Sequence, residues 1–211
     1  MTAPCSSLHV LTEEPSMEPV VTAICDQLTG GVVRTFVHPH GGITDLVAKA
    51  PDRLRGYARS IDHSGIRVVV LIDRDAADCV DRKQRLEAIA HDAGLPTKSR
   101  PSPSGGFFVV NRVVVRELES WLLGDPTALR AAFPPLAKSR VLDSIGDPDR
   151  LAAKPSEKLQ RVMRDTSVLK KGQALPKVSV ARQVAPHLVL GRNASASFQA
   201  TVDGITALVA S

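Results

Sequence analysis

The segment that most constrains the fold is the run RVVVLID at residues 67–73, in which five consecutive apolar residues precede an aspartate. A continuous apolar run of this length, rich in β-branched residues, is typical of a strand buried on both faces in a parallel sheet. Asp73 closes the run, and Asp75 follows two residues later. A buried strand that ends in neighbouring carboxylates indicates that a positive partner, or abundant water, is expected at that end.

Strand and helix patterns alternate on both sides of this run. Strands are predicted at 8–11, 32–38 and 107–115, and helices near 20–28, 43–60 and 79–93. The helical segment at 43–60 is expected to be interrupted at Pro51. Such alternation predicts an α/β fold, a layered domain with a mostly parallel central sheet. The helix that begins at Cys79 is expected to have Val80, Leu86, Ile89 and Ala90 on its inner side.

Charge is distributed unevenly along the chain. The net charge is +5, but residues 151–211 alone hold nine Lys or Arg and three Asp or Glu. We predict an α/β domain over residues 1–125 and a small helical, basic C-terminal extension over residues 126–211, packed on it. A basic surface near carboxylates suits a phosphodiester substrate, although a solvated basic face is the simpler interpretation of charge alone.

Composition excludes several classes of protein. No apolar run approaches the length needed to cross a bilayer, and the N-terminal residues lack the features of a signal peptide, which predicts a soluble, cytoplasmic protein with no membrane partner. Cys5, Cys25 and Cys79 are scattered and form no C-x-x-C pair. Their spacing argues against a disulfide framework and against a thiolate zinc site.

Acidic side chains follow three of the predicted strands. In chain order they are Glu13, Glu14, Asp73, Asp75, Glu117 and Glu119. Because the carboxyl ends of parallel strands meet at one edge of a sheet, we expect these side chains to converge. Hard oxygen ligands favour Mg²⁺ or Mn²⁺, the ions used for phosphodiester cleavage and phosphoryl transfer. Asp78 and Asp81, by contrast, precede or open the next helix, where capping residues and first-turn acids are expected.

A glutamate after the first strand, with a helix behind it, and D-x-D after the third strand resemble the Toprim domain of topoisomerases, primases and OLD-family (overcoming lysogenization defect) nucleases. More narrowly, the chain resembles a family of bacterial Toprim-like proteins that are often encoded beside an ATPase of the ABC or SMC type. The matching segments occur in the family's order and cover nearly the whole chain. They include VLTEEPSMEPVV, VVVLIDRDAADC, RELESWLLGDPTAL, KPSEKLQRVM and LPKVSVARQVAPHL.

This resemblance implies a metal-dependent nuclease, the effector of a phage-defence system with a partner ATPase. The implied substrate is nucleic acid, with DNA favoured over RNA, and a homo-oligomer is left open. The residues implied to bind the metal are Glu13, Asp73, Asp75, Glu117 and Glu119. Glu13 would also act as general acid or base, with Asp73 as the central catalytic aspartate. Lys177, in LPKVS, matches a basic position that would face the scissile phosphate.

Two alternatives stay open. Glu14 occupies a place where the general Toprim motif has glycine, which favours a non-catalytic subunit that binds nucleic acid or a partner protein. A phosphatase of the haloacid-dehalogenase type would use Asp73 as nucleophile, but the residues after its D-x-D motif are Ala76 and Ala77 rather than threonine. Trp121 is predicted to lie in the core, and the H-x-H pair in VHPHGG is interpreted as part of an exposed loop.

Overall fold

The structure is a computed structural model that describes residues 3–74 and 78–211. In this part of the chain, four strands form one sheet in the order β2-β1-β3-β4, and all three pairings are parallel. The strands are β1 (Ser7–Thr12), β2 (Arg34–Pro39), β3 (Ile66–Asp73) and β4 (Val109–Val114). The predicted α/β class with a parallel central sheet is therefore confirmed.

Helices cover both faces of the sheet and make up most of the C-terminal part, as predicted. Those described are α1 (Met17–Thr29), α2 (Ile43–Ala58), α3 (Ile61–Ser64), α4 (Cys79–Asp92), α5 (Leu118–Leu123), α6 (Pro126–Ala132), α7 (Pro155–Asp165), α8 (Lys177–Val184) and α9 (Ala196–Val209). Short 3₁₀ turns connect α6 to α7 and α8 to α9. None of the described helices is both long and apolar enough to span a bilayer.

Strand β3 lies between two hydrophobic cores, which explains why its apolar run is continuous. Val69 and Leu71 contribute to the core that contains α1 and the C-terminal helices. Val68, Val70 and Ile72 contribute to the core under α2 and α4. Each such side chain contributes roughly 1.5–3 kcal/mol when fully buried. An alternating polar pattern would expose polar groups to one of these cores.

The C-terminal helices complete the first of these cores. Helix α9 packs on β4 and places Phe198 and Ile205 in the same cluster as the β1 residues. The Trp121 ring is fully buried, meets the Phe198 ring edge-on at 5.3 Å, and donates its indole N–H to Ser197 Oγ at 2.9 Å. The predicted core position of Trp121 is confirmed.

The helical crossovers between the parallel strands determine where the sheet has a crevice. From β1 the chain passes through α1 to β2 on one side, and from β3 it passes through α4 to β4 on the other side. The two crossovers therefore leave the β1–β3 pair in opposite directions. In open parallel sheets, such a point marks the crevice at the carboxyl ends of the strands where ligands bind.

The predicted interruption of α2 at Pro51 is wrong, because one helix runs from Ile43 to Ala58 through this proline. A proline inside a helix removes a hydrogen bond and crowds the preceding turn. Here the helix buries Leu46, Ala50 and Leu54 against the sheet. Burial of that continuous face outweighs the local cost of the proline.

Helix α4 agrees with the sequence at its start but not over its whole inner face. The Asp78 carboxylate accepts a hydrogen bond from the Val80 backbone N–H at 2.6 Å, which is the predicted cap. Leu86 and Ala90 are buried as expected, but Val80 is 60% exposed. The predicted position of Val80 on the inner side of α4 is wrong, because the first turn of the helix extends beyond the core.

Candidate functional site

Glu13 and Asp73 are brought together by the pairing of their strands. Glu13 directly follows β1, and Asp73 ends the neighbouring strand β3. The Glu13 N–H donates to Leu71 O at 3.2 Å, and Glu13 Oε2 accepts the backbone N–H of Asp73 at 3.0 Å. Both residues are buried, with 8% and 5% of their surface exposed. The strand ends are thus joined through the Glu13 carboxylate.

The Asp73 carboxyl is held in surroundings that oppose its ionisation. Its Oδ1 is buried and has no hydrogen-bond partner in the described part of the chain. Burial raises the pKa of Asp73 well above its usual value, and the charges of Glu14, Glu13 and Glu119 raise it further, while Lys177 acts in the opposite direction. These surroundings favour the protonated form of the Asp73 carboxyl relative to the same group in water.

The turn after β4 delivers further acids to the same edge. Arg116 adopts a left-handed backbone conformation with φ of 73°. Its guanidinium donates to Ala152 O and Ala153 O, both at 3.3 Å. For a residue with a side chain this conformation costs on the order of 1–3 kcal/mol, so the contacts with the following loop help to maintain it. Helix α5 begins two residues later.

Glu119, in the first turn of α5, is the most deeply buried of the acids. It is 1% exposed, and its Oε2 has no hydrogen-bond partner within the described residues. Its Oε1 lies 3.4 Å from Lys177 Nζ. Burial raises the pKa of Glu119, with Lys177 opposing that effect and Glu117 adding to it. Glu119 and Asp73 thus share one property, a buried carboxylate oxygen without a partner.

Lys177, the first residue of α8, places its ammonium against this group. Its Nζ lies 3.4 Å from Glu119 Oε1 and 3.8 Å from Glu14 Oε1. Burial lowers the pKa of Lys177, but the carboxylates around it, Glu119 first, outweigh burial and raise it. Lys177 therefore remains charged at neutral pH and partly offsets the acids that face it.

Glu117 and Glu14 are engaged in other contacts. Glu117 Oε2 accepts the Ser156 N–H at 2.9 Å, and its Oε1 lies 3.4 Å from Lys154 Nζ. Burial raises the pKa of Glu117, but the bonds from Ser156 and the nearby lysines outweigh burial and lower it. Glu14 accepts a hydrogen bond from Ser16 Oγ at 2.5 Å and is more exposed than Glu13. Glu117 thus ties α5 to the start of α7 and stays ionised.

The described carboxylates have the chemistry of ligands for a divalent cation, but too few of them lie together to form a complete ligand set. Asp73 Oδ1 and Glu119 Oε2 are hard oxygen donors without partners, as Mg²⁺ or Mn²⁺ would require. Across residues 3–74 and 78–211, however, no group of three His, Cys, Asp or Glu residues is arranged to hold an ion. Asp75, the second aspartate of the predicted site, lies outside the described residues.

The loop after β2 also belongs to this edge, and the sequence interpretation missed it. His40 was expected in an exposed loop but is 6% exposed, and its Nδ1–H and its backbone N–H both donate to Thr12 O, at 2.9 and 3.0 Å. The Gly42 N–H donates to Glu13 O at 2.9 Å. His38 is part of β2 rather than of the loop. The two glycines that precede α2 were the signal that backbone passes closely here.

Comparison with known families gives one match. A family model described as "Domain of unknown function (DUF4276)" matches residues 12–206, which is nearly the whole chain and includes all of the acids and Lys177. Searches of curated proteins and of solved structures found no match. Because the family match extends over both the sheet and the C-terminal helices, this chain belongs to the DUF4276 family.

Proposed function

We propose that this chain is a metal-dependent nuclease of the Toprim and OLD type that hydrolyses phosphodiester bonds with Mg²⁺ or Mn²⁺. One observation carries the proposal: Asp73 Oδ1 and Glu119 Oε2 are buried carboxylate oxygens without hydrogen-bond partners in the described chain. A buried carboxyl group without a hydrogen-bond partner costs free energy, roughly 1–3 kcal/mol. A cation that binds both groups would offset that cost.

Asp73 and Glu119, with Asp75, are the residues that would hold the ion, and Glu13 would hold Asp73 in place. When bound, such an ion supplies Lewis-acid polarisation of the phosphate and lowers the pKa of a bound water. The bond from the Asp73 N–H to Glu13 Oε2 fixes the end of β3. Because the pKa of Asp73 is raised, its carboxyl would release a proton as a cation approaches.

Lys177 is suited to contact the substrate rather than the ion. About a third of its side chain is exposed, while the ammonium faces Glu119 and Glu14. An ammonium at this position would donate to a non-bridging phosphate oxygen as the substrate enters. We assign Lys177 this role, in line with the basic position of the resembled family.

A nucleic-acid substrate fits the charge of the C-terminal part. Basic side chains there are exposed to solvent, and they include Arg161, Arg164, Lys170, Lys171 and Arg182. Contacts of this type with phosphates are independent of sequence and sensitive to salt. We propose DNA as the substrate in preference to RNA, and an ABC- or SMC-type ATPase as the partner in phage defence.

A second candidate function is a non-catalytic subunit that binds nucleic acid or a partner protein. It is favoured by the Lys177 ammonium, which already lies near Glu119 and Glu14 where a cation would otherwise be needed. It is also favoured by the absence of a three-acid group within the described residues. This version predicts salt-sensitive binding without turnover by any divalent ion.

Cleavage assays with a matched pair of variants test the proposal. Supercoiled plasmid and RNA are incubated with the protein across a Mg²⁺ and a Mn²⁺ titration, with and without the partner ATPase. We expect Asp73→Asn to lower metal-dependent cleavage about 10³-fold or more, since it removes a charged ligand. Asp92→Asn makes the same change at the exposed end of α4 and is expected to cut like the wild type.

Undiminished cleavage by the Asp73→Asn variant would remove the proposal. If the wild type binds DNA with a steep salt dependence but cuts nothing under any condition, the non-catalytic function is the correct one.

A further inference from the structure

Three arginines at the carboxyl edge of the sheet have no anionic partner among the described residues. They are Arg74, which directly follows Asp73, and Arg82 and Arg85, which lie in the first two turns of α4. None of them takes part in an ion pair within residues 3–74 and 78–211. The Nε atoms of Arg74 and Arg82 are buried and have no hydrogen-bond partner in this part of the chain. Buried charged donors without an acceptor are uncommon in folded proteins and indicate that an acceptor is missing.

Arg82 and Arg85 form one wall of a groove between α4 and α2. They are three residues apart on α4, so they project from the same face of the helix. The groove has a volume of about 290 Å³. Its other wall is formed by the first two turns of α2, at Ile43, Thr44, Val47 and Ala48. A largely apolar wall of this kind packs against the methylene stems of arginines and leaves the guanidinium groups free to bind a ligand.

The groove lies at the edge of the sheet that holds the acids. Helix α2 begins directly after Gly42, whose N–H donates to Glu13 O at 2.9 Å, and α4 follows β3, which ends at Asp73. Ile72 belongs to the core under α2 and α4, so the alternation of side chains along the strand places Arg74 on the same face. The C-terminal helices lie on the other face of the sheet. The arginines and the basic C-terminal part therefore flank the acids from opposite faces.

Acidic side chains of the same two helices do not neutralise these arginines. Asp45 accepts the Gly41 N–H at 3.1 Å and lies 2.7 Å from Lys49 Nζ. Asp78 caps the start of α4. Asp81 is exposed in the first turn of α4 and forms no ion pair within the described chain. The positive charge of the groove is therefore free to bind an anion from outside the chain.

We propose that Arg74, Arg82 and Arg85 bind phosphates of the sugar–phosphate backbone of the substrate. Guanidinium groups donate hydrogen bonds in pairs to phosphate oxygens, and a phosphate in the groove would accept the buried Nε–H of Arg82. The backbone would then be held from both faces of the sheet, by the groove on one side and by Lys177 on the other. This inference rests on the proposed nucleic-acid substrate, but it does not depend on catalysis.

DNA binding without divalent ions tests the inference, because binding is then measured apart from cleavage. Fluorescence anisotropy of labelled duplex DNA is recorded with the full-length protein in EDTA across a salt series. For duplex DNA, the slope of log affinity against log salt is about −0.9 for each phosphate that the protein neutralises. We expect the double variant Arg82→Gln/Arg85→Gln to bind about tenfold more weakly at low salt, with a slope that is shallower by about 1–2.

Matched variants separate this site from a general effect of charge. The double variant Arg55→Gln/Arg59→Gln removes the same two charges at the opposite end of α2 and is expected to bind DNA like the wild type. Arg82→Lys keeps the charge but loses the paired donors, so it should weaken binding without changing the salt slope. Asp73→Asn, in the acidic site, is expected to bind DNA at least as tightly as the wild type.

Equal affinity and equal salt slope in the Arg82→Gln/Arg85→Gln variant and the wild type would overturn the inference, as would a wild type that binds no DNA. If the double variant does not fold, Arg85→Gln decides, because the Arg85 side chain is exposed: an unchanged salt slope overturns the site. Weakened binding by the arginine variants of a protein that never cuts DNA would support the groove and remove the nuclease function. Unchanged binding by these variants of an active nuclease would do the reverse.

Discussion

Arg67 and Asp73 lie near opposite ends of β3, and both are buried charged residues. The Arg67 guanidinium, in a residue that is 1% exposed, donates to the carbonyl oxygens of Ala3 and Ser211 at 3.0 and 2.7 Å. It also donates to Ile66 O at 3.1 Å and to the Ser211 hydroxyl at 3.3 Å. Its charge is thus surrounded by acceptors.

Asp73 has the reverse environment. Its carboxyl has a buried oxygen without a partner in the described chain, and most of the charges around it have its own sign. The two buried charges at the ends of β3 therefore differ in how well their hydrogen-bonding groups are satisfied, and this difference indicates different roles. The buried charge with four hydrogen bonds stabilises the fold, whereas the buried carboxyl without a partner lowers stability, as groups at functional sites often do.

The largest expected change in stability comes from a substitution at Arg67, whose charge is surrounded by hydrogen-bond acceptors. Arg67→Met keeps the length of the side chain but leaves the carbonyl oxygens of Ala3 and Ser211 without their donors. We expect the free energy of unfolding to fall by about 3 kcal/mol, as measured by urea denaturation. Arg59→Met, at an exposed position after α2, is the matched control and is expected to change stability by less than about 0.5 kcal/mol. A loss below about 1 kcal/mol for Arg67→Met would contradict the comparison.

A substitution at Asp73, the end of β3 with the unpaired carboxyl, is expected to raise stability rather than lower it. Because the folded protein raises the pKa of Asp73, wild-type stability is undiminished below the unfolded value of about 3.9 and decreases as pH rises through the folded value. Asp73→Asn removes this charge, so we expect it to be more stable than the wild type by about 1 kcal/mol at pH 8 and equal to it near pH 3. Urea denaturation across a pH series measures the difference. An Asp73→Asn effect that does not change with pH would show that the carboxyl is not strained.

The smallest expected change concerns the lysine that partly neutralises the acids. Lys177→Met leaves the buried Glu119 without its nearest ammonium and should lower the free energy of unfolding at pH 7 by roughly 0.5–1 kcal/mol, since the lysine is partly exposed. The loss should shrink at low pH, where Glu119 is protonated. The Lys154 side chain beside Glu117 is 61% exposed, so Lys154→Met should have a smaller effect. Urea denaturation at pH 7 and at low pH measures both variants. The reverse order would contradict this account of Lys177.

Much of the architecture could be predicted because its signals are local. The apolar run of β3, the cap at Asp78 and the glycines after α1 each identify an element from neighbouring residues. The rule that parallel strands end at one edge then placed Glu13 beside Asp73, and the structure brings the two together. Lys177, in contrast, came from the family resemblance, since no local pattern distinguishes it from other exposed lysines.

Contacts between distant parts of the chain were beyond the reach of such patterns. Arg67 pairs with Ser211, 144 residues away, and nothing in the sequence near Arg67 indicates this. Glu117 reaches the start of α7, and His38 of the edge strand β2 meets Tyr57 near the end of α2. Tertiary packing determines these contacts, and the sequence near each residue carries no signal for them.

The Glu13 carboxylate braces the main chain of the neighbouring strand at Asp73, so it has a structural role in addition to the catalytic role proposed above. An evolutionary change at this position alters shape and reactivity in a single step. If the proposed function is correct, family members without activity are expected to retain Glu13 longer than Glu119, because Glu13 also holds the end of β3 in place.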